Sequence, residues 1–406
     1  MQIGLECLLG SPEKIKNWGK CAILCNQASV SKDLRHILPL LQETMGSKLV
    51  KIFSPQHGLS STVQDNMIES EHGRDPLSGL PVWSLYSESR QPTEAMLENV
   101  DTIIIDLQIV GCRVYTFKAT IRACLEAAKQ WDKKVVVLDR PNPIGGTVLE
   151  GRCVDNSYRS FVAPDFIPMR HGLTAAEVAR FLNQEIGCEL DWVGLRDWEP
   201  EMGWPSDRPW VLTSPNLPTL DAVTVYPGMV LLEGTNLSEG RGTGLPFQLI
   251  GSPFVEDPHT LVGDIYKYFP MTLAGLHLRP TCFMPTSGKW ANEVCYGLQI
   301  HVLNPRAVNS FSLGLAIIHS CMSFTGFAWR QPPYEYEYEK LPMSVILGSP
   351  GVEKHVRDLK TDDPFWEEGI KRFIERSSSC LLYERVRVHD RQANFQANPH
   401  FESLAF

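Results

Sequence analysis

Residues 102–108 read TIIIDLQ, an apolar run that ends in two polar residues, Asp106 and Gln108. Four further stretches have the same form, with an apolar middle and a polar tail: Cys21–Gln27, Leu49–His57, Val82–Tyr86 and Lys134–Arg140. In a parallel sheet covered by helices on both faces the strand middles are buried, so such runs are typical of its strands. Ligands bind beyond the carboxyl ends of those strands. The five stretches therefore predict a mainly parallel sheet whose polar strand ends meet at one pocket.

Helical patterns alternate with these strands, at Asp33–Met45, Thr93–Glu98 and Lys118–Trp131. Thr174 followed by Glu177 has the spacing of a capping box, which predicts a helix at Thr174–Glu185 before a strand near Glu189–Val193. Alternation of strand and helix implies right-handed crossover connections. The predicted fold class is α/β, with a Rossmann-like sheet and helices on both faces.

The pattern changes from Val223 onward, where Gly and Pro interrupt the chain more often. Short strands are predicted near Leu276–Pro280 and Tyr296–Leu303, with a helix at Ser310–Met322. We therefore predict a Rossmann-like N-terminal domain over residues 1–222 and a smaller α+β C-terminal domain over residues 223–385. Residues 386–406 are polar and lack periodicity, which favours a flexible tail.

Composition excludes several classes of protein. The 406 residues carry a formal net charge of −9 and form no basic stripe, which argues against nucleic acid as a partner. No apolar stretch is long enough to span a membrane, and no signal peptide is recognisable at the N-terminus. The 11 cysteines are scattered singly, as in proteins of the reducing cytoplasm. Metal-binding and nucleotide-binding motifs are missing, so we expect neither a metal nor a cofactor.

The strand ends offer the first candidate side chains. Gln56 and His57 follow the second strand in the motif Ser-Pro-Gln-His-Gly, and His57 is interpreted either as an acid, base or hydrogen-bond donor, or as a structural residue. Asp106 and Gln108 point to the same side of their strand because side chains alternate with period two.

Two segments after the central strands add further candidates. Arg113 suits an anionic group or a structural ion pair, and Tyr115 suits stacking or hydrogen bonding. Asp139, Arg140 and Asn142 lie in one loop, where they serve either a ligand or the turn itself.

Later segments bring more carboxylates and amides. Glu150 follows the Asp139 loop, and Asn216 lies in the motif Ser-Pro-Asn-Leu-Pro-Thr. The Gly-rich run of residues 233–244 contains Glu233, Asn236, Glu239 and Arg241, and is interpreted either as a polar substrate cradle or as a solvated surface loop. The alternating Tyr and Glu residues of 334–339 are interpreted as a half-exposed strand or loop rather than as a binding tract.

A carbohydrate ligand fits this set of carboxylates, amides and aromatic residues. Hydrolysis of a glycosidic bond needs a proton donor and usually a second carboxylate. Spacing alone leaves the choice open among Asp106, Asp139, Glu150, Glu233 and Glu239.

The motifs together resemble a known family. Ser-Pro-Gln-His-Gly at 54–58, Arg-Val-Tyr-Thr at 113–116, Leu-Asp-Arg-Pro-Asn-Pro at 138–143, Arg-His-Gly-Leu-Thr at 170–174 and the 233–244 run are similar to the bacterial exo-β-N-acetylmuramidases. The likeness covers about residues 3 to 385. It implies a cleft between two domains that releases N-acetylmuramic acid from the non-reducing end of peptidoglycan fragments, with no cofactor.

Under this resemblance the acid–base candidates are Asp106, Glu150, Glu233 and Glu239, assisted by His57. Substrate-binding candidates are Gln56, Gln108, Arg113, Tyr115, Asp139, Arg140, Asn142, Asn216, Asn236 and Arg241. Arg113, Arg140 and Arg241 are the candidates for contact with the lactyl carboxylate of N-acetylmuramic acid. Because family members often carry an export signal, its absence here favours a cytoplasmic role on wall fragments.

Two departures from the family pattern each remove a carboxylate. The family usually has Glu where this chain has Gln56, and Asp where it has Ile109. An amide keeps the shape of a carboxylate but cannot transfer protons, a loss typically of ~10²- to 10⁴-fold. The alternatives are a module that binds or senses amino sugars without cutting them, which these two departures suggest, and an enzyme that has moved to another sugar or bond.

Overall fold

A seven-stranded sheet lies at the centre of the first part of the chain, in the strand order β3-β4-β2-β1-β5-β6-β7. This computed structural model describes residues 1–64 and 68–385. The strands are β1 (Cys21–Cys25), β2 (Leu49–Ser54), β3 (Gly73–Arg74), β4 (Pro81–Ser84), β5 (Thr102–Asp106), β6 (Lys134–Leu138) and β7 (Glu189–Val193).

Every pairing in this sheet is parallel except that of β3 with β4. Each of the five predicted strand stretches overlaps one of the strands, and β1 and β5 are buried along their whole length. The predicted α/β class with a mainly parallel sheet is confirmed. Sequence reasoning missed the two-residue edge strand β3, which has too few residues for a recognisable pattern.

Five helices accompany the sheet: α1 (Gly4–Leu9), α2 (Ile37–Met45), α3 (Glu94–Leu97), α4 (Phe117–Gln130) and α5 (Ala175–Ile186). The predicted capping box is present, because the Thr174 side chain accepts from Glu177 N and the Glu177 side chain accepts from Thr174 N. These two bonds satisfy backbone donors that the first turn of α5 leaves free.

The second part of the chain has a three-stranded antiparallel sheet in the order β8-β10-β9. Its strands are β8 (Leu249–Ser252), β9 (Leu276–Phe283) and β10 (Cys295–Val302), and its helices are α6 (Leu220–Met229), α7 (Pro258–Tyr268), α8 (Ser310–Cys321), α9 (Pro342–Leu347), α10 (Val352–Arg357) and α11 (Ile370–Ser377). The predicted smaller α+β part is confirmed.

Glycines let α6 and α8 cross closely. A Cβ atom at Gly228 would lie 1.6 Å from Ser310 O, and one at Gly314 would lie 2.3 Å from Gly228 O. The two backbones therefore touch directly, which fixes the turn after α6. That turn, Val230–Gly234, carries Glu233.

One hydrophobic cluster runs through both parts of the chain, from Ala22 on β1 to Cys380. Helix α6 crosses the predicted boundary at residues 222 and 223, and the division itself stays a prediction. The predicted tail, residues 386–406, lies outside the described residues. Among the helices of the described ranges, none has the length and apolar character needed to cross a membrane.

Candidate active site

An inner pocket lies where the end of β2 meets the second part of the chain. Gln56 and His57 come directly after β2, whereas Glu233 comes from the turn after α6 and Glu335 from the loop before α9. Tyr115, Asn216 and Arg241 also line it. The pocket is narrow, with a cavity volume of about 30 Å³. Both parts of the chain therefore contribute to it.

Two larger pockets flank the inner pocket. The basic pocket, lined by Glu233, Glu239, Arg241, Lys289, Trp290 and Arg330 among others, has a volume of about 700 Å³ and shares Glu233 and Arg241 with the inner pocket. The neutral pocket, lined by Asn216, Thr243, Phe283, Met284, Thr286 and Ser287 among others, has a volume of about 630 Å³ and shares Asn216 with it. Each flanking pocket has the volume of a small-molecule site.

Arg241 joins the two carboxylates of the 233–244 run. Its Nη2 lies 2.6 Å from Glu233 Oε1, and its Nε lies 3.0 Å from Glu239 Oε1. Lys289 Nζ lies 3.0 Å from Glu239 Oε2. Burial opposes ionisation of Glu239, but the charges of Lys289 and Arg241 outweigh it and lower the pKa of Glu239. Glu239 is therefore a fixed anion at neutral pH.

The surroundings of Glu335 favour its protonated form, in contrast to those of Glu239. Its side chain is 4% exposed, and its carboxyl accepts a 3.4 Å hydrogen bond from the Tyr86 hydroxyl. Burial and the nearby Glu233 carboxylate raise the pKa of Glu335 to about 7. Its φ of 44° is rare for a residue with a side chain, and buried residues held in such conformations cluster at functional sites. Glu335 therefore retains a proton at a pH where Glu239 has none.

His57 is neutral in this pocket. Its Nδ1 lies 2.7 Å from Val63 O, which requires the proton on Nδ1 and leaves Nε2 to accept from Ser214 Oγ at 3.2 Å. Burial lowers the pKa of His57 to about 4, and the charge of Arg241 adds to the shift. The imidazole is therefore a hydrogen-bond acceptor rather than an acid.

Gln56 brings an amide to the inner pocket. Its Oε1 accepts a 2.5 Å hydrogen bond from Thr116 Oγ1. Its Nε2 is buried, and none of the described residues accepts a hydrogen bond from it. Unpaired buried donors are rare in folded proteins, so this one is available to a ligand or a water.

Three other predicted residues lie at the pockets with their polar groups already bonded to protein. Asn216 Nδ2 donates to Gln64 O at 3.1 Å, and the Tyr115 hydroxyl is 2.8 Å from Thr213 Oγ1. Asn236 bonds Gly326 O and Ala328 N, which fixes the wall of the basic pocket.

The strand-end residues Asp106 and Gln108 do not reach the pocket. Asp106 is fully buried and pairs with Arg140 through two contacts, one of them 3.0 Å from Nη2 to Oδ2. Gln108 Nε2 donates to the carbonyl oxygens of Ile109 and Pro141. The prediction that all polar strand ends meet at one pocket is wrong for these residues, because their side chains bond to Arg140 and Pro141 in the loop after β6 instead.

Asp139 and Asn142 hold the segment that leads into α5. Asp139 accepts from Ala176 N at 2.8 Å, Thr174 Oγ1 at 2.9 Å and the Tyr383 hydroxyl at 2.7 Å, and burial raises its pKa to about 7. Asn142 Nδ2 donates to Leu173 O. The turn-chemistry interpretation of this loop is the one that the contacts support.

Arg113 and Glu150 connect the two parts of the chain. Arg113 donates to three carbonyl oxygens, including Ile346 O at 2.8 Å, and is fully buried. Glu150 accepts from Arg170 at 2.5 Å and from Phe311 N, at the start of α8, at 3.0 Å. Neither residue lines the three pockets, and nor does Arg140. Arg113 and Arg140 are therefore removed from the candidates for binding a ligand carboxylate. Glu150 is likewise removed from the candidate catalytic carboxylates.

Sequence reasoning missed several residues that the pockets bring together: Tyr334, Glu335, Lys289, Trp290 and Arg330. Tyr334 and Glu335 are buried, contrary to the interpretation of 334–339 as a half-exposed segment. Their alternation of Tyr and Glu was the only available signal. Lys289 and Trp290 lie in the loop between β9 and β10, where no motif distinguishes them.

Comparison with known proteins agrees with this architecture. Residues 21–221 match the family description "Exo-beta-N-acetylmuramidase NamZ, N-terminal", and residues 224–383 match "Exo-beta-N-acetylmuramidase NamZ, C-terminal". The peptidoglycan β-N-acetylmuramidase NamZ of Bacillus subtilis strain 168 is 37% identical over 323 residues, which cover 78% of this chain and 76% of that protein.

Two crystal structures of DUF1343 family proteins from Bacteroides fragilis share the fold. Each is 26% identical and covers 94% of this chain and 99% of its own, with TM-scores of 0.82 and 0.70. The matches to the two family descriptions together span most of the chain. The chain therefore belongs to the exo-β-N-acetylmuramidase family of glycoside hydrolases.

Proposed function

We propose that this enzyme removes N-acetylmuramic acid from the non-reducing end of peptidoglycan fragments, with the glycosidic bond held at the inner pocket. The observation that carries the proposal is the presence of two carboxyl groups at one narrow pocket adjoining two pockets of sugar size: Glu335, whose pKa is raised, and Glu233, which is paired with Arg241. Glycosidases separate a proton donor from an ionised partner in this way.

Glu335 is the proposed proton donor. A pKa of about 7 leaves it largely protonated in slightly acidic solution and partly protonated at neutral pH. It lines the inner pocket, which lies between the two larger ones, and that is where a bond joining two bound sugars would lie. Its proton passes to the glycosidic oxygen, so that the leaving sugar departs as an alcohol.

Glu233 is the proposed second carboxylate. It lines both the inner and the basic pocket, and it accepts hydrogen bonds from Arg241 and from the Tyr334 hydroxyl. Those donors orient it toward the reacting centre. It either attacks the anomeric carbon or takes a proton from the attacking water. In the net reaction, water supplies a hydroxyl to the anomeric carbon and a proton to the leaving sugar.

A binding module without turnover was the alternative that Gln56 suggested. The inner pocket still contains a protonatable carboxyl at Glu335, and the Gln56 amide that replaces the family's Glu lines the same pocket. Loss of the carboxylate at position 56 therefore does not leave the pocket without a proton donor. We propose that the Gln56 amide donates a hydrogen bond to the substrate or to water.

Release of 4-nitrophenol from 4-nitrophenyl β-N-acetylmuramide by the purified wild-type protein tests the proposed function. Binding of free N-acetylmuramic acid is measured in parallel by calorimetry. We expect steady release over many turnovers. Binding without release would instead support the sensing module, and absence of both would reject this substrate class.

We also propose a reducing compartment, the cytoplasm, as the site of action. All 11 cysteines lie within the described ranges and are free thiols, and Cys282 is exposed. Exposed free thiols persist where glutathione and thioredoxin keep them reduced. Cell fractionation tests this: recovery of the protein mainly from the culture medium or the wall fraction would contradict it.

A further inference from the structure

The two flanking pockets differ in charge. The basic pocket is lined by the cations Arg241, Lys289 and Arg330 and the carboxylates Glu233 and Glu239, a net charge of +1. Among the described residues, none that lines the neutral pocket is charged. The protein as a whole carries a net charge of −9, so a local positive excess is not a general property of its surface.

Two of the three cations form ion pairs within the protein. Arg241 bonds Glu233 and Glu239. Lys289 bonds Glu239 as well as two backbone carbonyl oxygens, those of Leu232 at 2.8 Å and Leu237 at 2.9 Å. Their charge is thereby balanced by the two carboxylates of the same pocket.

Arg330 is different. Its backbone N–H donates to Gly234 O at 3.0 Å, and its guanidinium carbon lies 5.4 Å from the ring centroid of Tyr334. Within residues 1–64 and 68–385, no carboxylate or carbonyl oxygen accepts a hydrogen bond from the guanidinium group. The side chain is half-buried at the wall of the pocket. An arginine in this setting has its planar donors free for a ligand carboxylate, which it can bind through two parallel hydrogen bonds.

We infer that the basic pocket is the subsite for the sugar that carries a carboxylate, with Arg330 as its anchor, and that the neutral pocket receives the uncharged sugar on the other side of the scissile bond. This inference rests on the proposed function. It fixes which sugar occupies which pocket, because N-acetylmuramic acid has a lactyl carboxylate and N-acetylglucosamine has none. Trp290, whose Nε1 is fixed by a 2.6 Å bond to Asn236 O, offers the basic pocket an aromatic surface for the sugar ring.

Selectivity between two aryl glycosides tests the role of Arg330. The values of kcat/KM are measured for 4-nitrophenyl β-N-acetylmuramide and 4-nitrophenyl β-N-acetylglucosaminide with the wild type, Arg330→Gln and Arg330→Lys. Arg330 also lowers the pKa of Glu335 against the effect of burial, but both substrates release the same nitrophenolate, so any effect of Glu335 on its departure is common to both and cancels in the ratio of the two values.

We expect Arg330→Gln to lower the preference for the muramide by about 10- to 100-fold, the usual effect of losing a charge-assisted hydrogen bond, and Arg330→Lys to retain part of it. Arg306→Gln, which removes an exposed arginine after β10, serves as the matched control and should keep the wild-type ratio. An unchanged ratio in Arg330→Gln would overturn the assignment.

A binding experiment separates this inference from the proposed function. Calorimetry with free N-acetylmuramic acid and free N-acetylglucosamine requires no turnover. Tighter binding of the acid by the wild type, lost in Arg330→Gln, would support the subsite even if neither glycoside were cleaved. Equal affinity of the wild type for both sugars would overturn the inference even if the muramide were cleaved.

Discussion

The Tyr334 hydroxyl donates a 2.8 Å hydrogen bond to Glu233 Oε2, across a sequence separation of 101 residues. This contact connects the loop before α9 with the turn after α6, and it places Glu335, the next residue, at the pocket that Glu233 lines. The opposite oxygen of Glu233 faces Arg241 at 2.6 Å. Glu233 is thus oriented from two sides, and Tyr334 is a positioning residue.

Replacement of Tyr334 by Phe removes that donor and keeps the aromatic ring. Because hydrogen bonds to charged groups contribute more than neutral ones, we expect kcat to fall by about 10- to 100-fold with little change in KM. Tyr338→Phe, at a tyrosine that is 70% exposed, is the control and should behave as the wild type. A change confined to thermal stability, with kcat retained, would show that Tyr334 is only structural.

The pH dependence of kcat/KM should report the proton on Glu335. A proton donor works only while protonated, so activity should decline as the pH rises through about 7, by tenfold per unit well above it. His57, with a pKa of about 4, stays neutral over this range and does not contribute. Rates measured from pH 5 to 9 on the disaccharide check this. A plateau that extends beyond pH 8 would contradict the assignment of Glu335.

Replacement of Gln56 by Glu adds a carboxylate to the inner pocket. Thr116 Oγ1 can donate to it as it does to the amide, so the side chain should keep its place. A second negative charge disfavours ionisation of Glu335, and we expect the alkaline limb to move to higher pH by roughly one unit. The comparison is the pH profile of the wild type. A silent wild type that becomes active in Gln56→Glu would instead identify position 56 as the essential acid.

Asp106 stabilises the fold rather than the reaction. It is fully buried against Arg140, and Asp106→Asn leaves that guanidinium without its anion. We expect the free energy of unfolding in urea to fall by about 3 to 5 kcal/mol. Glu43→Gln, in the exposed pair with Arg35, should cost less than about 1 kcal/mol. Wild-type stability with a large loss of activity would return Asp106 to the catalytic candidates.

The fold was predictable because its determinants are local in sequence. The apolar runs around TIIIDLQ and the Thr174 capping box specify buried strands and a helix start from neighbouring residues alone. The same local reasoning placed His57, Gln56, Glu233 and Arg241 at the pocket, since each lies at a strand end or in a Gly-rich loop.

The remaining site residues depend on contacts distant in sequence. Asp106 and Asp139 lie at strand ends, as ligand-binding residues often do. Their carboxylate oxygens are instead bonded within the protein, to Arg140 and Tyr383 respectively, which lie far along the chain. Glu335 reaches the pocket because of the path of the loop before α9, and the periodicity of the sequence does not predict that path. The motifs that are most prominent in the sequence therefore maintain the architecture, and a less prominent tract supplies the proposed acid.

Cleavage of the disaccharide N-acetylmuramyl-β-1,4-N-acetylglucosamine by the wild type and by Glu335→Gln, followed by NMR, tests the central claim most directly. Nitrophenolate can depart as an anion, whereas the oxygen of N-acetylglucosamine must receive a proton as the glycosidic bond breaks. We predict that Glu335→Gln loses ~10²- to 10⁴-fold on the disaccharide and much less on the nitrophenyl glycoside, while Glu339→Gln, at an exposed neighbour, matches the wild type. Equal disaccharide rates for Glu335→Gln and the wild type, or an intact disaccharide with both, would contradict the account.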